Sequence, residues 1–172
     1  PQWTGFGLAV QSYQTRARET IDAVAAIGHA RGLRFMVRLT KGAYWDGEIK
    51  RAQELGLAGY PVFTHKHHTD ISFLACTKAL IGHHAVILPQ FATHNAGTIA
   101  AILQMADVLP GVRFEMQRLH GMVEAVYREV MAAIEDLLDI LARPERVTRI
   151  ISDELLEIKR EFTVGHLASL RA

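Results

Sequence analysis

The chain has 172 residues, a length of about one domain. Hydrophobic residues at 49% against 22% charged fit a soluble globular protein with a real core, and a net charge of +1 gives composition no case for a nucleic-acid or membrane partner. The single cysteine, Cys76, excludes an intramolecular disulfide framework and fits a reducing compartment, and no apolar stretch approaches the roughly 20 residues that span a bilayer. The start at Pro1, with no methionine, signal or transit pattern, suggests a piece cut from something longer or an incomplete record.

Gly7 to Gln11 reads as a short buried strand. Tyr13 to Ala30 follows as a predicted helix, with Ile21, Val24, Ala25 and Ile27 near helical spacing and Gly32 as its break. Arg34 to Leu39 is the second strand. Asp46 to Leu55 is a helix with Glu48, Lys50 and Arg51 outward, ended by Gly56. Gly56 to His68 is a loop punctuated by Gly59 and Pro61. Asp70 to Leu80 is the third helix, capped by Thr69 or Asp70. Cys76 lies in its apolar run Phe73-Leu74-Ala75-Cys76 and reads as a buried structural thiol.

Ala85 to Ala92 is the third strand, Ala96 to Ala106 a helix, Arg113 to Leu119 the fourth strand, and Val123 onward is helical. From Met131 to Phe162 the pattern is almost uninterrupted helix, with Ile134, Leu137, Leu138 and Leu141 before Pro144 and Ile150, Ile151, Leu155 and Ile158 after it. That predicts a helical hairpin over 131–172, following an α/β body over 1–130. Thr163 to Ala172 has no clear pattern.

The order strand–helix, repeated four times, predicts a parallel sheet with crossover helices. Two architectures stay open, a doubly wound sheet and a (β/α)₈ barrel. No glycine-rich dinucleotide fingerprint follows the first strand, which weakens the former. In a barrel, function concentrates at the C-terminal ends of the strands. Here those ends carry Gln11; Arg38 and Lys41; Thr93, His94 and Asn95; and Gln117, Leu119 and His120.

Each of these residues has a bland reading beside the functional one. Arg38 and Lys41 can bind an anionic or electron-rich group, or form an exposed salt bridge. His94 before a helix offers a donor for phosphate, or belongs to a capping Thr-His-Asn turn. His65, His67, His68 and Asp70 resemble a metal cluster, but their spacing matches no standard zinc pattern and a solvated loop is the better reading. His83-His84 reads as a surface turn. Tyr44 and Trp45 can stack on an aromatic ligand or simply pack.

The blocks Trp3-x-Gly5-Phe6-Gly7-Leu8-Ala9-Val10-Gln11-x-Tyr13-Gln14 and Arg38-Leu39-x-Lys41-Gly42-Ala43-Tyr44-Trp45-Asp46-x-Glu48-Ile49-Lys50-Arg51-Ala52-Gln53 resemble proline dehydrogenase, the flavin domain of the bacterial bifunctional proline utilisation enzymes. Gly59-Tyr60-Pro61-Val62-Phe63-Thr64, Leu74-Ala75-Cys76, Pro89-Gln90-Phe91-Ala92-Thr93-His94-Asn95-Ala96 and Phe114-Glu115-x-Gln117-Arg118-Leu119-His120-Gly121-Met122 continue the match in the same order, over about residues 3–130.

The resemblance implies a partial, TIM-barrel-like (β/α)₈ fold of about four β/α units, followed by the helical hairpin. It implies FAD as cofactor, oxidation of L-proline to pyrroline-5-carboxylate, and a membrane quinone as electron acceptor. By the same resemblance Arg38 lies by flavin N5, while Gln11 and Lys41 contact the isoalloxazine or its chain. Thr64 and Lys66 reach the cofactor, Thr93, His94 and Asn95 hold its phosphate and ribose region, and Gln117 faces the ring. Tyr44 and Leu119 line the proline pocket, which makes Arg38, Lys41 and Tyr44 the candidate catalytic set. No metal and no nucleic acid are implied for the barrel part. The location implied is cytoplasmic and, in the family, peripheral to the membrane.

The family's paired arginines that clamp the proline carboxylate, and its lysine and aspartate near the substrate, have no counterpart here. Val123 stands where the family usually has glycine. The chain therefore reads as a fragment of the active domain, with a catalytically inactive α/β scaffold as the alternative. Two copies could close one barrel. The tail, about residues 134–162, is similar to the coiled-coil end of gyrase A, on Ile140-Leu141-Ala142-Arg143-Pro144-Glu145-Arg146-Val147 and Ile151-x-Asp153-Glu154-Leu155-Leu156-Glu157-Ile158-Lys159-Arg160-Glu161-Phe162.

Overall fold

The computed structural model describes residues 6–109, 111–119, 122, 124–130 and 132. The chain divides into two units, residues 1–93 with 101–117 and residues 94–100 with 118–172.

The first unit is built on a four-stranded parallel sheet in the order β1-β2-β3-β4. Its strands are β1 (Gly7–Gln11), β2 (Phe35–Thr40), β3 (Ile87–Ala92) and β4 (Glu115–Gln117). Between them run α1 (Ala17–Arg31), α2 (Trp45–Glu54), α3 (Lys66–Gly82) and α4 (Ala96–Asp107). Sequential strand order with right-handed crossovers sends every crossover helix to the same face of the sheet. A doubly wound sheet reverses its order and covers both faces. The observed order settles the alternative left open by the sequence, in favour of a barrel-like arrangement.

Strand parity assigns the faces. Val10, Val37, Leu39, Ile87 and Phe91 face the helices and are buried with Ile21, Val24 and Ala25 of α1, Phe73, Cys76, Leu80 and Ile81 of α3, and Ile102 of α4. Burying a large apolar side chain is worth about 1.5–3 kcal/mol, so this face holds the unit together. The opposite face carries Ala9, Gln11, Arg38, Thr40, Gln90, Glu115 and Gln117, none of them buried.

Element ends depart from the sequence reading where the backbone has other partners. α1 starts at Ala17 rather than Tyr13. Tyr13 N–H donates to the Lys41 carbonyl at 2.9 Å, Phe63 N–H donates to the Tyr13 carbonyl at 2.7 Å, and Thr15 N–H donates to the Pro61 carbonyl at 3.0 Å. Those bonds hold residues 13–15 against two loops and keep them out of the helix. Gly32, in the left-handed region at φ 60°, closes α1 as expected.

α3 begins at Lys66, a turn before the predicted start, with His65 at its N-cap and no side-chain cap bond. Thr69 and Asp70 therefore lie inside the helix, and Asp70 is engaged elsewhere. β3 starts at Ile87 rather than Ala85, because Val86 N–H turns back to the His83 carbonyl at 3.0 Å. β4 is three residues long where the pattern predicts seven.

In the second unit residues 124–130 are helical. The predicted helix from Met131 to Phe162, its break at Pro144, the end at Thr163–Ala172 and His120 lie outside the described residues, residue 132 excepted. No described helix is long and apolar enough to cross a membrane.

Candidate active site

Parallel pairing aligns the candidate side chains in rows across the open face. Arg38 pairs with Ala9 on one side and Gln90 on the other, and Gln90 pairs with Glu115. One step toward the strand ends, Gln11 pairs with Thr40 and Ala92 with Gln117. The period of two that buries Val37 and Leu39 against the helices turns Arg38 the other way. Its side chain is exposed, and among the described residues it has no ion-pair partner.

Glu115 lies in the same row. Its Oε2 accepts from the Gln90 amide at 2.6 Å and from the Gln117 amide at 3.4 Å, so one carboxylate orients both amides. In the sequence Gln90 and Glu115 stand out only as letters of longer motifs. Strand parity, counted from Arg38 and from Gln117, is the signal that finds them.

The β2–α2 loop is shaped by a close approach. Gly42 has φ 133°, and a Cβ there would meet the Tyr13 ring at 2.5 Å. Gln11 Oε1 accepts the Ala43 N–H at 3.3 Å, which ties the end of β1 to this loop. Tyr13 is 3% exposed; burial first and the nearby Glu48 second push its phenol above the ordinary value of 10.0. Tyr44, 72% exposed, stands at the N-cap of α2, whose first residue Trp45 donates its indole N–H to the Phe63 carbonyl at 2.8 Å. Trp45 is thus anchored next to Thr64, and Tyr44 is left open to solvent.

Lys41 and Lys66 are brought together by Asp70, which the sequence reading takes as a helix-cap candidate and as a member of a His-rich cluster. Lys41 Nζ donates to Asp70 Oδ1 at 2.5 Å, and Lys66 Nζ to Oδ2 at 2.9 Å. The bond from Lys41, then that from Lys66, holds the Asp70 carboxyl below its ordinary value of 3.8. Of the two readings open for Lys41, ligand binding and a salt bridge, this structure shows the salt bridge. Of the neighbouring rings, His65 and His67 stack at 5.4 Å between centroids, and His68 meets both edge-on, at 5.4 and 4.3 Å. Among the described residues no group of three His, Cys, Asp or Glu is set to hold a metal ion.

Thr93, at the end of β3, is buried, and its N–H donates to the Gln117 carbonyl at 3.3 Å. His83, read from the sequence as part of a surface turn, is half-buried and its ring pairs with Asp22 of α1 at 3.0 Å.

In the second unit, Asn95 caps α4. Its Oδ1 accepts the Thr98 N–H at 2.9 Å and the Thr98 hydroxyl at 3.1 Å. His94 Nε2 accepts the Leu119 N–H at 2.9 Å, which leaves the ring proton on Nδ1. The capping reading of the Thr-His-Asn turn therefore holds for Asn95, while His94 positions the Leu119 backbone. Leu119 itself is exposed.

Comparison with known proteins gives one consistent result for most of the chain. The family model described as proline dehydrogenase matches residues 1–142. The bifunctional protein PutA of Klebsiella aerogenes is 49% identical over 147 residues, covering 84% of this chain and 11% of that protein. The crystal structure of Bradyrhizobium japonicum proline utilization A superposes with a TM-score of 0.70 at 56% identity, over 76% of this chain and 13% of that one. The chain thus spans about a tenth of the length of these relatives. A shorter match, to the DNA gyrase A protein of Streptococcus pneumoniae, is 48% identical over 52 residues, 28% of this chain and 6% of that protein.

Proposed function

The chain belongs to the proline dehydrogenase family, and on that premise we propose that it binds FAD at the C-terminal ends of its strands and serves the oxidation of L-proline to pyrroline-5-carboxylate. The observation that carries the reading is the open sheet face, where Gln11, Arg38, Gln90 and Gln117 stand in adjacent rows with Lys41 immediately beyond.

The donor set fits the group. Arg38, Lys41 and Lys66 bring three cations to this site against two carboxylates, Asp70, which pairs with two of them, and Glu115, in the row of Arg38. An anionic diphosphate and an electron-rich ring match that excess of positive charge. The Gly42–Tyr13 contact brings the loop backbone in closer than any residue with a Cβ would allow. FAD, when bound, supplies the acceptor for the hydride that leaves the carbon next to the proline nitrogen.

The protein's part is positioning and electrostatics. Arg38 places a fixed positive charge where electron density increases during transfer. Gln11, Lys41, Thr64, Lys66 and Gln117 hold the cofactor, and Tyr44 lines the proline pocket. For Thr93, His94, Asn95 and Leu119, assignment to the cofactor phosphate and the substrate pocket rests on sequence resemblance alone. Transfer of electrons to a quinone, a half-barrel over 1–130 and a helical tail over 131–172 belong to the same proposal. The reading of the chain as an inert α/β scaffold is not favoured, since the family model of proline dehydrogenase matches residues 1–142.

Absorbance of the purified chain tests the reading. Bound flavin, retained on purification or taken up from added FAD, supports it, and bleaching on addition of L-proline extends it to turnover. A chain that takes up no FAD overturns it.

A further inference from the structure

We propose that Asp70 is a positioning residue for the cofactor. One carboxylate holds Lys41, from the loop after β2, and Lys66, from the first position of α3, in the arrangement an anionic ligand requires. The inference rests on the flavin reading above and goes beyond it, because Asp70 is a member of neither the candidate catalytic nor the candidate cofactor-binding set.

The two bonds differ in meaning. Lys66 and Asp70 are four residues apart on one helix, a pair that α3 makes by itself and that stabilises it only weakly. It also offsets a cation at a helix start, which the dipole disfavours. Lys41 is another matter. It reaches Asp70 from 29 residues earlier, from a different element, and neither helix nor strand needs that bond. Both side chains are about one-third exposed, so the pair adds little to stability. Its effect is on Lys41 itself, a side chain with many rotamers that is ordered before any ligand arrives.

The carboxylate also keeps two ammonium groups close together that would otherwise repel. Its own charge opposes an anionic ligand, however, so the two effects have opposite signs. If Asp70 acts only as a nearby negative charge, removing it tightens FAD binding. If it positions the lysines, removing it weakens binding.

The experiment has two arms. In the chain without flavin, zero-length carbodiimide coupling followed by peptide mass spectrometry is expected to give Asp70–Lys41 and Asp70–Lys66 amides. A map without the Asp70–Lys41 link overturns the bridge whether or not flavin binds. In the second arm, fluorescence titration measures affinity for FAD and for riboflavin, which lacks the phosphates. Asp70→Asn is expected to weaken FAD binding by about tenfold or more, to affect riboflavin less, and to keep the thermal midpoint near that of the parent. Asp70→Glu, which restores the charge, is expected to recover part of the loss. An Asp70→Asn chain that binds FAD as tightly as the parent, or more tightly, overturns this inference alone. A parent chain that binds no FAD overturns the flavin reading and this inference with it.

Discussion

Gly42 lies against the face of the Tyr13 ring, so close that a Cβ would come to 2.5 Å of Cδ2 and 2.6 Å of Cγ. The Tyr13 N–H donates to the carbonyl of Lys41, the residue before Gly42, at 2.9 Å, which ties the two backbones together, and the ring, 3% exposed, is packed in place. The backbone at Gly42, φ 133°, is also one that residues with a side chain rarely adopt. Gly42→Ala therefore meets strain and a clash together, and is expected to cost roughly 2–4 kcal/mol in urea unfolding. Gly47→Ala is the control. Nothing lies within 4 Å of its added methyl, and Gly47 is within α2, so the chain is expected to gain up to about 1 kcal/mol.

Arg38→Met separates site from scaffold. Arg38 is exposed on the open face and has no ion-pair partner among the described residues. Its loss is expected to move stability by no more than about 0.5 kcal/mol. Flavin content, or the rate of flavin bleaching by L-proline, is expected to fall by at least about tenfold. An Arg38→Met chain with unchanged flavin content and unchanged reduction would remove Arg38 from the site.

The Asp22–His83 pair makes a measurable acid dependence. Burial raises the Asp22 carboxyl, but hydrogen bonds from His83 and Arg18 outweigh it and hold the group below 3.8. A depressed folded-state value means the stabilisation is present above the unfolded value and disappears as pH falls through the folded one. The gap in urea midpoint between the parent and Asp22→Asn is expected at pH 7 and to close below about pH 3.8. With Asp22 45% exposed, the gap is expected to be no more than about 1 kcal/mol. A gap that keeps its pH 7 size well below pH 3.8 would contradict the assignment.

Asn95 has an observed role as a cap and a proposed one at the cofactor, and one pair of variants divides them. Asn95→Ala removes the acceptor for the Thr98 N–H at the start of α4 and is expected to cost about 0.5–2 kcal/mol. Asn95→Asp keeps the cap. If this residue also meets the cofactor phosphate, the added negative charge is expected to lower FAD affinity while the thermal midpoint holds. Parity of FAD affinity in Asn95→Asp would leave Asn95 as a cap alone.

Much of the fold is legible in the chain because hydrophobic periodicity follows local geometry. β1 matches its sequence reading to the residue, and α2 and α4 match to within one, since their apolar spacing and glycine stops are local signals. The start of α1 does not, because nothing within residues 13–15 announces that their backbone groups are taken by Lys41, Phe63 and Pro61. The strand-end cluster Arg38-Leu39-Thr40-Lys41 is legible as a candidate site, whereas the residues that touch it are not. Asp70 reads as a helix-cap candidate in a His-rich cluster and Glu115 as a motif letter.

The sequence by itself determined the alternation of strands and helices, the polar groups at the strand ends and the family they belong to, because these depend on residue type and on spacing along the chain. Tertiary structure alone decided the strand order that puts the helices on one face, the register that sets Arg38 beside Gln90, and the choice of Asp70 as partner for Lys41. Those relationships join residues dozens of positions apart. They are set by the packing of elements against a shared core, which has no local trace in the chain.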